Sequence, residues 1–345
     1  MLNAIGLPRN LRYLPSIETG ISYLRGSERS RGAPIFFAIE TINLCNYRCV
    51  YCPQSDPKSH FPHGRGVMPL ERFERVVANL RSAFDVRAVA LQRDGEPLLN
   101  GRIAEYVAHL TGQGIAASFS SNCSLLDDER AAGLIDAGLR RIKTDFCADA
   151  ELYERLRVRG KWRATLEGMR GLLAAAEDRG ADLRLNITDL GTHGLGRAQA
   201  RAALTQTRAL FARWPDRVTV IPVRFHNALG EARVNLGGEP HPAEGRRYSL
   251  CHQPWVAMTV DFAGRVVGCC RDLRSEHVLG NLLEQPAAEI WNGEPMRRLR
   301  RALAARRPEE IPICGACDVP WRGSYSGRSR AEKIANFFFS RFFEQ

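Results

Sequence analysis

No stretch of this 345-residue chain approaches the roughly 20 consecutive apolar residues of a membrane-spanning helix. The richest run, Phe337 to Phe343, is interrupted by Ser340 and Arg341, so no bilayer-crossing segment is expected. The N-terminal stretch, Met1 to Gly26, scatters charges and prolines and lacks the basic, apolar, small-residue order of a cleavable signal, which makes the cytoplasm the expected location. Aromatic residues are only 8%, but hydrophobic residues reach 44% and charged residues 25%, which excludes a disordered or fibrous chain. Acidic residues are the minority, 38 Asp and Glu against 49 Lys and Arg, for a net charge of +11. The excess is nearly all arginine and is dispersed, so charge alone implies no nucleic-acid partner. Arg297, Arg298, Arg300 and Arg301 interleave with Leu299 and Leu303 on a predicted helix and read as a solvated face.

What the chain does have is ten cysteines. Without a secretion signal they are expected to stay reduced, and clustered reduced cysteines bind metal or do chemistry. They fall as Cys45, Cys49 and Cys52, then isolated Cys123 and Cys147, then Cys251, Cys269, Cys270, Cys314 and Cys317. Two separate metal sites are expected.

Strand signals at 36–42, 86–91, 116–121, 140–144, 183–188 and 218–223 alternate with helical periodicity at 70–83, 102–113, 127–137, 166–179 and 197–214. Six βα units of this kind predict an α/β fold with a parallel sheet, wound as a barrel or an open sheet. The pattern changes at 230–248, a Gly-, Pro- and charge-rich linker. Beyond it, 255–261 and 265–269 flank Phe262-Ala263-Gly264 as a β-hairpin, and 287–304 reads as a helix. The expected organisation is an N-terminal extension (1–35), an α/β domain (36–229), the linker, a small metal-stapled α+β module (249–325) and a C-terminal tail (326–345).

Cys45, Cys49 and Cys52 directly follow the first strand at spacings of four and three, so three thiolates can converge on one centre and leave a coordination position open. Structural zinc wants four protein ligands, and His60 or His63 keeps that alternative in play. An iron–sulfur cluster with one unligated iron can instead bind a small molecule directly. The three cysteines, with Tyr51 beside the third, resemble the signature of the radical S-adenosylmethionine superfamily. The resemblance runs from about Phe36 to Trp321 and implies a partial (β/α)6 barrel, a four-iron four-sulfur (4Fe-4S) cluster and S-adenosylmethionine as cofactors, and a 5′-deoxyadenosyl radical as oxidant. Gly95-Glu96-Pro97 after the second strand resembles the motif that receives the cofactor's amino group. Ser121 and Asn122 after the third strand, Asp145, and Arg157 in the turn after the fourth resemble other positions that touch S-adenosylmethionine, Arg157 as a partner for its carboxylate.

Cys251, Cys269 on the hairpin, and the pair Cys314 and Cys317 could close a four-thiolate site for zinc or iron–sulfur. Beside the first cluster they resemble the twitch variety of the SPASM module, which implies one fully ligated auxiliary 4Fe-4S cluster; no cysteine follows Cys317. Only Cys269 keeps the family's spacing from Gly264, so Cys270 reads as a packed thiol.

A fully ligated cluster suits electron transfer, which favours oxidation of a small polar substrate such as a sugar or aminocyclitol, with electrons entering from an external donor of the flavodoxin or ferredoxin kind. Asp94, Asp145, Glu40, His226 and Asn227 are candidate bases or polar contacts at strand ends. Cys123 and Cys147 depart from the family pattern, and either thiol could return a hydrogen atom to a substrate radical, making the enzyme an epimerase. Peptide modification is a further alternative, against which the short stretch before the first strand speaks. A zinc protein binding nucleic acid is the opposing class and leaves the three-ligand spacing unexplained. The tail places Ile334, Phe337, Phe338 and Phe342 near one helical face, which could meet a membrane surface or the barrel.

Overall fold

Short β-rich runs separated by amphipathic helices build one sheet. The computed structural model describes residues 14–55, 61–232, 234–237 and 248–321. His60, residues 238–247 of the expected linker and the tail from 326 lie outside them. The strands are β1 (Phe36–Ile39), β2 (Arg48–Cys49), β3 (Ala88–Ala90), β4 (Ala116–Ser120), β5 (Arg141–Phe146), β6 (Arg157–Val158), β7 (Arg184–Asp189), β8 (Val218–Pro222), β9 (Ala257–Val260), β10 (Arg265–Val267) and β11 (Val278–Asn281). The helices are α1 (Leu14–Leu24), α2 (Leu70–Ala83), α3 (Ile103–Thr111), α4 (Asp128–Asp136), α5 (Ala150–Leu156), α6 (Trp162–Asp178), α7 (Arg197–Ala209), α8 (Gln253–Val256), α9 (Ala287–Trp291), α10 (Glu294–Ala304) and α11 (Pro312–Gly315).

The six expected strands form the parallel run β1-β3-β4-β5-β7-β8, each joined to the next by helical crossovers. The helices cover one face because their apolar residues recur at helical spacing, as with Phe73, Val76, Val77 and Leu80 of α2. Ile142, Thr144 and Phe146 of β5 are buried towards the helices. Arg141, Lys143 and Asp145 alternate with them and stay half-buried, as Asn186 and Thr188 do on β7, so a polar set lines the other face. Phe36, Ala90, Ser118 and Arg141 line a cavity at the strands' N-terminal ends. Among the described residues no helix is long and apolar enough to cross a membrane.

The cysteine-rich C-terminal module continues this sheet. β9 pairs with β1 in parallel, from Phe36 opposite Ala257 to Ile39 opposite Val260, and β10 and β11 follow antiparallel. The hairpin is therefore present, but its first strand starts at Ala257, since Pro254 opens the one-turn helix α8. β11, α1 and the ribbon of β2 with β6 carry signals too short or too irregular for periodicity to register. The helix expected at 287–304 is broken at Asn292-Gly293, with Pro295 opening α10. Asn292 is taken up elsewhere: its Oδ1 accepts from the Ser30 backbone at 3.0 Å and from Arg300 at 3.0 Å.

Arg300 corrects the reading of a wholly solvated arginine face. It is completely buried, donates to the carbonyls of Pro254 (2.9 Å) and Glu28 (3.2 Å), and stacks 4.4 Å from the Trp291 ring. Its helical neighbours Met296, Leu299, Ala302 and Leu303 face the core, and the guanidinium finds carbonyls there that sequence periodicity does not reveal.

Candidate functional site

The loop after β1 winds tightly around its three cysteines. The Cys52 amide donates to the Cys49 carbonyl (3.0 Å), Ser55 to Cys52 (3.0 Å), and the Arg48 guanidinium to the carbonyls of Cys45 (2.8 Å) and Tyr47 (2.7 Å). β2 anchors this loop by placing Cys49 opposite Arg157 of β6. Burial pushes the thiols up, Cys45 to about 11 and Cys52 to about 12, with Cys49 raised likewise. Each stands in the field of at least one of the others, which adds to the cost of a thiolate. A bound cationic centre reverses that balance, because metal and proton compete for the same sulfur lone pairs.

Gly95-Glu96-Pro97 lies directly against this loop. The Glu96 amide donates to the Leu44 carbonyl (2.8 Å), and a Cβ on Gly95 would stand 2.3 Å from the Ile42 carbonyl oxygen, so only glycine fits. The Glu96 carboxylate accepts from Ser121 Oγ (2.7 Å), the Asn122 amide (2.6 Å) and the Leu98 amide (3.0 Å). Asn122 in turn donates to Asn46 Oδ1 (2.8 Å). The motifs after β1, β3 and β4 thus form one hydrogen-bonded unit. Burial raises the Glu96 pKa, against the three donors that lower it.

Tyr51, Asp145 and Arg157 are brought together, with Arg157 buried and Asp145 half-exposed. Tyr51 donates to Asp145 Oδ2 (3.1 Å), and Arg157 donates to Tyr51 (3.0 Å) and to Asp145 (3.3 Å). The Arg157 guanidinium also lies 5.3 Å over the Tyr47 ring, while its Nε is buried without a partner. Arg157 thus has an internal carboxylate as well as a donor to spare.

The two lone thiols occupy different places. Cys123 is fully buried at φ 58, the left-handed conformation that favours glycine, and stands in the fields of Glu96 and Arg157. Cys147 Sγ lies 3.3 Å from the Asp149 carbonyl, with Asp189 and Gly191 around it. His226 Nδ1 accepts from the Ala228 amide (2.9 Å), and Asn227 donates to the Ala316 carbonyl (2.8 Å) behind the last cysteine pair.

Cys251, Cys269, Cys314 and Cys317 line a single cavity. Burial pushes Cys251 up to about 12 and Cys317 to about 11. Cys269 moves the other way, through a hydrogen bond from Cys270 and the charge of Arg271. The Arg271 amide is 3.5 Å from Cys269 Sγ, its guanidinium feels Cys270, Cys269, Cys317 and Cys251, and its Nε is buried and unpartnered. Soft sulfur donors with a cation beside them could hold an iron–sulfur centre, whose thiolates carry excess negative charge. Sequence reasoning passed over Arg271, Arg93 and the polar face of Lys143 and Asn186. Only the placement of Arg271 beside two cysteines hinted at any of them.

Comparison with known proteins agrees with this geometry. Residues 39–181 match the family model of the radical SAM superfamily, and residues 251–318 match that of SPASM, an iron–sulfur cluster-binding domain. The GTP 3',8-cyclase of Microcystis aeruginosa is 28% identical over 49% of this chain and 52% of its own. The PqqA peptide cyclase of Rhodopseudomonas palustris is 30% identical over 33% of this chain and 29% of its own. The chain spans about half the length or less of these relatives. Among solved structures, BtrN in complex with AdoMet and 2-DOIA superposes with a TM-score of 0.55 at 18% identity, covering 83% of this chain and 93% of BtrN. Native anSMEcpe with bound AdoMet gives 0.58 at 14% identity, covering 90% and 98%. These two likenesses show the fold.

Proposed function

We propose for this chain, which belongs to the radical S-adenosylmethionine superfamily and carries an SPASM domain, the oxidation of a small polar substrate begun by abstraction of one of its C–H hydrogens. The superfamily's 4Fe-4S cluster and S-adenosylmethionine, with the auxiliary iron–sulfur chemistry of the SPASM domain, supply the radical and the electron acceptor. Cys45, Cys49 and Cys52 would hold the first cluster. Gly95, Glu96, Pro97, Ser121 and Asn122 would form the cofactor's cradle, with the spare Nε of Arg157 and the Tyr51 ring beside it. Cys251, Cys269, Cys314 and Cys317 would hold a single auxiliary cluster.

One observation carries this reading: the four-thiol cavity belongs to a module whose strand β9 is hydrogen-bonded directly to β1, the strand that leads into the first cysteine loop. The two sites therefore share one sheet, which would hold them at a fixed separation for transfer of an electron out of a substrate radical. Ser120, Lys143, Asn186 and Thr188 on the half-buried strand face suit a substrate rich in hydroxyls or amines. A net charge of +11 suits an acidic external electron donor of the flavodoxin type. Cys147 faces the Asp149 carbonyl, so Cys147→Ala is expected to leave product formation unchanged.

The test is anaerobic reconstitution followed by iron and sulfide analysis, for which two four-iron clusters predict roughly eight of each per chain. The loaded protein, reduced chemically, is then offered an aminocyclitol, GTP and a short peptide, with 5′-deoxyadenosine and substrate loss as readouts. Turnover of the aminocyclitol to a ketone supports the reading. Turnover of GTP or the peptide alone replaces the substrate class, and colourless protein containing zinc overturns the radical chemistry.

A further inference from the structure

Between the two cysteine groups lies a buried cluster of charge that neither site uses. Glu40, directly after β1, is completely buried, and its backbone amide donates to the Val260 carbonyl of β9 at 2.8 Å. Arg93, just before the glycine motif, lies 3.2 Å from Glu40 Oε1 and 2.8 Å from Asp94 Oδ2. The side chains of Glu40, Arg93 and Asp94 are 0%, 1% and 3% exposed. Arg93 reaches further, donating to the Asp272 carbonyl (2.8 Å), Ser275 Oγ (3.0 Å) and the Leu273 carbonyl (3.2 Å). One guanidinium therefore joins the loop of the first site to the segment that follows Cys269.

The charges here do not balance unless a proton is counted. Two carboxylates meet one guanidinium. The nearby Asp261 is matched by Arg265 at 2.6 Å, and Asp272 Oδ1 and Oδ2 accept from the amides of Glu276 and His277 at 2.9 and 2.8 Å. A net negative charge buried to this depth costs several kcal/mol, which a shared proton lowers. Both carboxylates meet the same Arg93 Nε, and burial raises the pKa of each. Asp94 feels Cys52 on one side and Asp272 on the other, and Asp272 feels Cys314, so the pair lies between the two thiol groups. The other titratable groups around it are His63, whose Nε2 is 3.1 Å from the Ser275 carbonyl, and His277.

We propose that Glu40 and Asp94 are one acid–base unit, holding a single proton between them beneath Arg93 and taking up a second when the C-terminal site gains an electron. This rests on the auxiliary-cluster reading of that site. Each electron the cluster gains is matched by one proton that the pair takes from solvent, so the total charge buried between the two thiol groups stays the same. Arg93 is the positioning residue, since it fixes both carboxylates and the loop beyond.

Infrared difference spectroscopy of the full chain tests the sharing. At neutral pH the wild-type spectrum minus that of Asp94→Asn, and minus that of Glu40→Gln, should each show a deuterium-sensitive carboxylic acid band, with circular dichroism confirming that both variants fold. Loss of the band in both amides identifies a shared proton, because either remaining carboxylate ionises against Arg93. A band lost in one variant only, or in neither, overturns it. In the reconstituted protein, chemical reduction should then strengthen the acid band in wild type and not in the variants; an unchanged wild-type band overturns the coupling. Failure to load a second cluster, seen as four irons rather than roughly eight, would sink the auxiliary-cluster reading and the coupling with it, while the spectrum of the unloaded chain still decides the shared proton.

Discussion

Burial works against the thiolate at nearly every cysteine of the two groups, and that has a consequence for stability. Cys52 and Cys251 are raised to about 12 and Cys45 and Cys317 to about 11, from an ordinary value near 9. The unfolded chain therefore releases these protons first, and the stability they contribute is complete below about pH 9 and lost as pH rises towards 11 to 12. Thermal melts of the metal-free protein should fall steeply across that window, whereas cluster-loaded protein, with its sulfurs already deprotonated, should fall less. Gly95→Ala is expected to weaken S-adenosylmethionine binding by more than about tenfold, because its Cβ would meet the Ile42 carbonyl at 2.3 Å and push the motif off the cysteine loop. Equilibrium dialysis on reconstituted protein measures it, and wild-type affinity would remove Gly95 from the cradle. The cysteines were legible because their chemistry resides in residue type and spacing. The pairing of Arg157 with Asp145 and Tyr51 was not, since three elements distant in sequence have to meet before it exists.

Among the elements, strands with two-residue alternation and helices with a clear apolar stripe were legible from periodicity, and α2 has the expected limits of 70 and 83. Periodicity failed where a side-chain contact to another part of the chain decides the boundary. α6 begins at Trp162, ahead of the expected Leu166, and the Trp162 indole donates to the Cys147 carbonyl at 2.8 Å while its ring stacks on Phe146. α10 breaks from α9 where Asn292 binds Ser30 and Arg300. The buried Arg300 has its pKa brought down to about 9 by burial, but the carbonyls around it depend on it as a donor. Arg300→Met is expected to cost roughly 3 kcal/mol, measured by urea unfolding, since it leaves the carbonyls of Pro254 and Glu28 and the Asn292 amide oxygen short of a partner. Arg298→Met on the same helix serves as the comparison, and equal effects of the two substitutions would refute the assignment.

For the whole molecule the decisive contact is β9 against β1, which makes one sheet of the barrel strands and the C-terminal hairpin. Backbone hydrogen bonds carry that contact, so it should survive loss of a thiol ligand. Cys251→Ala and Cys314→Ala are expected to lower iron from roughly eight to roughly four per chain while reductive cleavage of S-adenosylmethionine persists; loss of both would show that the sites assemble as one. The sequence by itself determined the alternation of strands and helices, the two cysteine groups and the turn motifs at strand ends, because each is written in residue type, spacing or periodicity along a short stretch. Only the tertiary structure decided that β9 lies beside β1, that Tyr51 and Arg157 meet at Asp145, and that Glu40 and Asp94 share Arg93 between the two sites. Those are contacts between residues far apart in the chain, and their energies come from burial and charge that appear only once the chain has folded.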